Sequence, residues 1–243
     1  MSARAVAPRT VGGGSGRRRS ALRALSTALI VAGVLMLSDA ALTVVWQEPL
    51  SAVYAWIVQD RLGDDLRKLE LRRPSAVDLD ALSALRSERR RMAFLARSLQ
   101  RDAPGGGAVG RIIIPKLDAN VVLVNGTTPG ALRKGPGIYE DTPFPGTPGT
   151  TAIAGHRTTY LAPFRNIDDL RRGDEIVVQM PYGRFTYEVE KSRIVEPTRV
   201  SVIDRVSHDR LVLSACHPLY SAAKRIVVFA KLVGSQARGA ALP

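Results

Sequence analysis

Residues 24–46 read ALSTALIVAGVLMLSDAALTVVW, twenty-three residues whose only charge is Asp39. A helix rising 1.5 Å per residue over that length spans roughly 34 Å, enough to cross a bilayer core. Six Arg and no acid lie in residues 1–23, and no Lys or Arg follows the run until Arg61. That asymmetry predicts a single-pass anchor in a cell membrane, N-terminus cytoplasmic and everything after it outside. Trp46 is then expected at the outer interface, and Asp39, past the midpoint, toward the outer side. Ser38 and Ala40 have the small-residue spacing of a leader-cleavage site, but the apolar run continues beyond them to Trp46, which favours a retained anchor.

The anchor changes the meaning of the charge. Thirty-five Lys and Arg against 22 Asp and Glu give +13, a value that on its own suggests nucleic acid. Six of those charges are the basic flank of the apolar run, so no nucleic-acid partner is expected. One Cys excludes an intramolecular disulfide framework and a multi-thiolate zinc site, and three scattered His (156, 208 and 217) make a poor metal site. Neither metal nor cofactor is expected.

Residues 47–103 read as a helical stalk and linker. Leu62, Leu66 and Leu69 fall at helical spacing up to Pro74, and Ser75 with Asp78 has the form of a capping box. Leu82, Leu85, Met92, Ala96 and Leu99 continue an apolar face, with Arg89–Arg91 as a solvated or headgroup-facing run. A stalk, a helix pair on the following domain and a self-association element all fit. Ala103-Pro104-Gly105-Gly106-Gly107 marks a linker.

Short β-rich runs then alternate with Gly and Pro: 111–115, 121–124, 151–154, 175–180, 185–194, 210–214 and 225–233. Seven or eight strands with few helical patterns predict a mainly β fold, a closed barrel or sandwich over 104–235, before a flexible tail at 236–243.

The single Cys ends one of these strands, in Leu213-Ser214-Ala215-Cys216-His217-Pro218. An unpaired thiol is a liability outside the membrane, so one retained there at a strand end points to reactivity. His156 closes another strand, in Ala154-Gly155-His156-Arg157, and Arg225 opens a third. Taken singly, each of these reads equally as a structural residue. His217 is a poor base for Cys216, because neighbouring side chains on an extended segment point to opposite faces. His208, in Ser207-His208-Asp209, is expected to be exposed.

Taken together, the order and contexts resemble the sortases, cysteine transpeptidases of Gram-positive cell surfaces, from about Gly110 to Val233. The matching pieces are Arg111–Leu117, Gly135-Pro136-Gly137, Pro148–Arg157, Asp169-Leu170 with Gly173-Asp174, Cys216-His217-Pro218 and Arg225. His156-Arg157-Thr158-Thr159-Tyr160 and the Ser-Ala after Cys-His-Pro most resemble class E, the actinobacterial housekeeping group. The resemblance implies a closed sortase-type β-barrel of seven to eight strands. It also implies that Cys216 attacks the Thr–Gly bond of a Leu-Pro/Ala-X-Thr-Gly-like signal on surface proteins, giving a thioester. A peptidoglycan-precursor amine then resolves it. His156 would be the general acid/base and Arg225 the stabiliser of substrate or oxyanion. Tyr139 and Tyr160 are substrate-pocket candidates. The chain departs from the family pattern at Ala215, where Thr is usual before the Cys, and at Ile138, where class E members often carry His. A pilin-polymerising enzyme usually carries Asp-Pro-aromatic in a lid, and no such tripeptide occurs here. A non-catalytic barrel that binds surface proteins is the other alternative.

Overall fold

The structure, a computed structural model, describes residues 14–46 and 49–242, which fall into two units divided after Trp46. The first is a single helix, α1 (Gly14–Trp46). Its segment Ser20–Ala41, 22 residues of mean hydropathy 1.9, is long and apolar enough to cross a membrane. The helix begins ten residues before the apolar run, since Arg17, Arg18, Arg19 and Arg23 are themselves good helix formers. Residues 1–13 of the basic tail, and the Trp46 side chain expected at the interface, lie outside the described residues.

The second unit is built on eight strands: β1 (Ala108–Ile114), β2 (Ala119–Asn125), β3 (Gly137–Ile138), β4 (Thr150–Ala154), β5 (Glu175–Met180), β6 (Gly183–Val195), β7 (Arg210–His217) and β8 (Lys224–Ala237). They close into a barrel in the order β1-β2-β3-β4-β7-β8-β6-β5, the mainly β fold expected. The unforeseen strand is β3, two residues with no periodicity to read. It exists because Gly137 lets two backbones meet: a Cβ there would stand 2.0 Å from the Gly126 carbonyl oxygen.

Alternation along the strands assigns each residue to a face. Leu211, Leu213 and Ala215 of β7 point inward, as do Ile226, Val228 and Ala230 of β8, joining Ile112, Leu123, Ile138, Ile153, Phe144 and Phe164 in one buried core. Fully burying each large side chain contributes roughly 1.5–3 kcal/mol. The other face of the same strands carries a second, smaller apolar group: Ala152, Val212, Val227 and Phe229, roofed by Val195, Val202 and Ile203.

Residues 49–102 are helical, as expected, and precede the barrel: α2 (Pro49–Leu71), α3 (Ala76–Ser83) and α4 (Glu88–Asp102). Of the arrangements open to the sequence, their packing is that of helices laid on the domain. Leu62 and Leu66 cover Val122 and Val124, and Met92 and Ala96 enter the barrel core. Gln59 completes the unpaired edge of β2, donating to the Val122 carbonyl at 3.2 Å and accepting from its N–H at 2.7 Å. Gln100 likewise donates to the Thr142 carbonyl and accepts from the Phe144 N–H. The Ser75–Asp78 capping box forms as expected.

Three expectations are corrected. Arg91 is buried, because its guanidinium donates to the carbonyls of Ala241 and Leu85. Residues 236–242 do not behave as a flexible tail: β8 runs on to Ala237, and Ala241 is fully buried beside α4. His208 is half-buried, with Nε2 3.6 Å from Glu190.

Candidate active site

Three strand ends bring the candidates together. Cys216 on β7 and Arg225 on β8 are direct cross-strand partners. Strand β4 runs parallel to β7 with Ala152 opposite Val212 and Ala154 opposite Ser214. The pairing continues one step past β4, where the Gly155 N–H donates to the Ser214 carbonyl at 3.0 Å. His156 is the next residue, two past the last paired position of β4. Val212, Ser214 and Cys216 share one face of β7, opposite to Leu211, Leu213 and Ala215. Cys216 and Arg225 therefore stand on the outer wall of the barrel, not in its lumen.

Gly155 sets the approach of this segment. A Cβ there would lie 2.5 Å from the Phe164 ring, which is fully buried. Beyond His156 the chain turns through Tyr160, Leu161 and Ala162 with φ of +51°, +65° and +40°, left-handed conformations that L-residues adopt at a cost of roughly 1–2 kcal/mol each. The loop is tied by the Phe164 N–H donating to the His156 carbonyl at 3.1 Å.

His156 is half-buried, and its Nε2 has no hydrogen-bond partner. Burial, helped by the positive charge of Arg133, holds the imidazole below its ordinary 6.5, so the neutral ring dominates at neutral pH. The Tyr160 ring lies 5.2 Å from it, centre to centre, and is itself met edge-on by Tyr54 of α2 at 6.2 Å. Cys216 is a free thiol of intermediate exposure. One arm of the Arg225 fork, Nη1, donates to the carbonyls of Ala222 and Lys224 at 2.9 Å each.

A residue the sequence reading left at the margin proves central to the geometry. Arg157 is 2% exposed. Its Nε and Nη2 donate to the Arg165 carbonyl, Nη2 also reaches Asp168 at 2.7 Å, and Nη1 lies 3.4 Å from the Cys216 carbonyl and from His217 Nδ1. His217 thus faces Arg157, away from the outer wall. The signal for Arg157 was adjacency to His156, but nothing local says that a charged residue is buried.

Beside Arg225 the outer wall holds a narrow furrow of about 90 Å³, floored by Val212, Ser214 and Val227, walled by Tyr139 and roofed by the β6–β7 connection. Tyr139, but not Tyr160, lies in it. Both departures from the family pattern point the other way: Ala215 and Ile138 are buried in the barrel core.

Residues 112–233 match the family description "Sortase domain", half of the chain. The chain belongs to the sortase family. Sortases are cysteine transpeptidases of the cell envelope, and this one is similar to sortase D of Bacillus subtilis, 36% identical over 133 residues, with 53% of this chain and 65% of that protein covered. The sortase thus spans just under two thirds of that curated relative. Among solved structures it is similar to sortase E from Streptomyces avermitilis, 33% identical with a TM-score of 0.51, covering 58% of this chain and 97% of that one. A further similar structure is sortase E1 from Streptomyces coelicolor with a tripeptide in its active site, 29% identical with a TM-score of 0.53, covering 57% and 95%.

Proposed function

We propose that this sortase is a membrane-anchored transpeptidase in which Cys216 is the nucleophile, His156 the general acid/base and Arg225 the stabiliser of substrate and oxyanion. The observation that carries the reading is the register: the thiol and the guanidinium are cross-strand partners on β7 and β8, His156 follows directly from β4, the other neighbour of β7, and an apolar furrow lies beside Arg225. Extended peptide lies along that furrow, its apolar residues against Val212 and Val227 and Tyr139. The solved tripeptide complex of the Streptomyces coelicolor relative supports a peptide ligand.

The chemistry balances within these groups. The thiol proton of Cys216 passes to neutral His156 as Sγ attacks the Thr carbonyl of a Leu-Pro/Ala-X-Thr-Gly-like signal. Charge developing on the carbonyl oxygen meets the arm of Arg225 not engaged with the loop carbonyls. The Thr–Gly C–N bond breaks, His156 gives the proton to the leaving amine, and a thioester remains. An amine of a cell-wall precursor then attacks and yields its proton to His156, the C–S bond breaks, and His156 returns that proton to the Cys216 thiolate. Residues 24–46 anchor the chain with the N-terminus cytoplasmic, and the catalytic barrel, 104–235, acts outside.

Ala215, where the family usually has Thr, does not favour a non-catalytic barrel: its methyl group faces the core, so a hydroxyl there would not project beside the thiol. The deciding experiment incubates the full chain in detergent with Leu-Pro-X-Thr-Gly and Leu-Ala-X-Thr-Gly peptides and a soluble amine. Mass spectrometry should find an acyl adduct on Cys216, lost in Cys216→Ala. Peptide binding with neither adduct nor cleavage would instead establish a binding module.

A further inference from the structure

Next to the furrow, across the wall formed by Val195, Glu196 and Val202, the outer face of β6, β7 and β8 opens into a second cavity of about 470 Å³. Its floor is Phe229, and its polar lining is almost wholly cationic: Lys191, Arg193, Arg199, Arg210 and Lys224 against the single carboxylate of Glu196. Strand register makes this a built arrangement rather than a chance cluster. Lys191 is the cross-strand partner of Phe229, Arg193 that of Val227 and Val195 that of Arg225, so the cationic row continues the wall that carries the thiol.

These charges are only partly neutralised from within: Glu190 and Asp204 act on Arg210, and Glu196 lines the cavity. Among the described residues, Lys191, Arg193 and Arg199 have no carboxylate within ion-pair distance, and Lys224 meets Glu196 only at 3.9 Å. Arg210 spends its Nη2 on the backbone carbonyls of Val202 and Asp204. Lys191 and Arg210 both sit over the Phe229 ring, at 5.7 and 5.1 Å from its centre, so two like charges share one aromatic platform. Like charges held together around a concave space are relieved by an anion entering it, and several cations on different strands favour a ligand with more than one negative charge.

We propose that this cavity binds a compact polyanion of the diphosphate class. Its position beside Lys224 and Arg225, on the far side of the furrow wall, suits the phosphate-bearing part of the amine acceptor. That last link rests on the transpeptidase reading, whereas the anion site itself does not.

The test uses the full chain in phosphatidylcholine nanodiscs, titrated calorimetrically with inorganic pyrophosphate at low salt. Saturable one-to-one binding is expected, tighter than for inorganic phosphate and weakened at high salt by screening. Lys191→Glu and Arg193→Glu, both on exposed positions outside the furrow, should each weaken it by about tenfold or more, the size of one lost charge-assisted contact. Unchanged melting temperatures would show that both variants fold, and the milder Arg193→Gln gives a second reading if either does not. Absence of saturable binding, or equal affinity in wild type and both reversals, overturns the site. Nanodiscs containing phosphatidylglycerol separate the sources of the anion. A fall in pyrophosphate affinity there identifies a lipid headgroup competing for the cavity, and unchanged affinity identifies a free diphosphate. Cys216→Ala should bind pyrophosphate as wild type does, so failure of the catalytic reading and failure of the anion site remain distinguishable.

Discussion

Arg157 and Asp168 meet at 2.7 Å with only one of them in water: the guanidinium is 2% exposed and the carboxylate 50%. The pair is therefore weak as an ion pair and strong as a brace, since the buried fork also holds the Arg165 carbonyl and approaches that of Cys216. Removing the fork in Arg157→Leu leaves buried carbonyls unsatisfied and should cost about 2–4 kcal/mol in urea unfolding. Asp168→Asn, at a solvated partner, should cost less than about 1 kcal/mol. Arg157→Lys keeps the charge and loses the second arm. In that variant we expect a well-folded protein whose thioester forms about tenfold to a hundredfold more slowly, because the thiol strand is displaced from the imidazole.

His156 gives the pH dependence a definite sign. Burial first, and Arg133 second, hold its folded form below 6.5. The unfolded chain then takes up a proton more readily than the folded one, so stability rises with pH across that window. The contribution of neutral His156 is complete above 6.5 and is lost as pH falls through 6.5 toward the folded value. Arg133→Gln should move the imidazole titration upward, read by proton NMR of the ring, and move the acid limb of activity with it. An unmoved titration would remove Arg133 from the site.

At position 155 the absence of a side chain is itself testable. In Gly155→Ala the new methyl meets the Phe164 ring at 2.5–3.0 Å, and Phe164 has no free space to retreat into. Destabilisation of about 1–3 kcal/mol is expected, the usual cost of overpacking. Calorimetry should record the loss, and thioester formation should slow beyond it because His156 is the next residue.

For Arg225 the fork and the charge can be separated. Arg225→Gln should slow thioester formation by roughly a hundredfold to a thousandfold, the size of one lost oxyanion donor. Arg225→Lys should recover part of that loss. Both should stay within about 1 kcal/mol of wild type in stability, because the residue is half-exposed and its partners are loop carbonyls that water can satisfy. A pulsed single-turnover measurement with trapped acyl-enzyme distinguishes slow acylation from slow release.

Much of this architecture was open to a reader of the chain alone, because it is local. Short β-rich runs mark most of the barrel strands, and Cys216 and His156 each stand beside a strand boundary that Pro218 or Gly155 helps to define. What stayed hidden is non-local. No pattern in Thr150–Ala154 announces that it pairs in parallel with Arg210–Ser214, sixty residues on. Arg91 reads as surface because burial of its guanidinium depends on a carbonyl supplied from the far end of the chain, and the sequence does not say that Arg157 is buried. Nothing in the sequence singles out Gln59 or Gln100, yet each completes the backbone bonding of a barrel segment. Residues 49–102 show an apolar stripe but not what it covers.

The parallel alignment of β4 with β7 carries one more consequence. Side-chain direction reverses with every residue, so deleting or inserting a single residue between Thr150 and His156 would turn the imidazole away from the thiol without altering either group. A full complement of reactive side chains would survive such a change, yet the protein would be inert. In this chain the count of residues along one short strand is as much an inherited determinant of chemistry as the identity of its only cysteine.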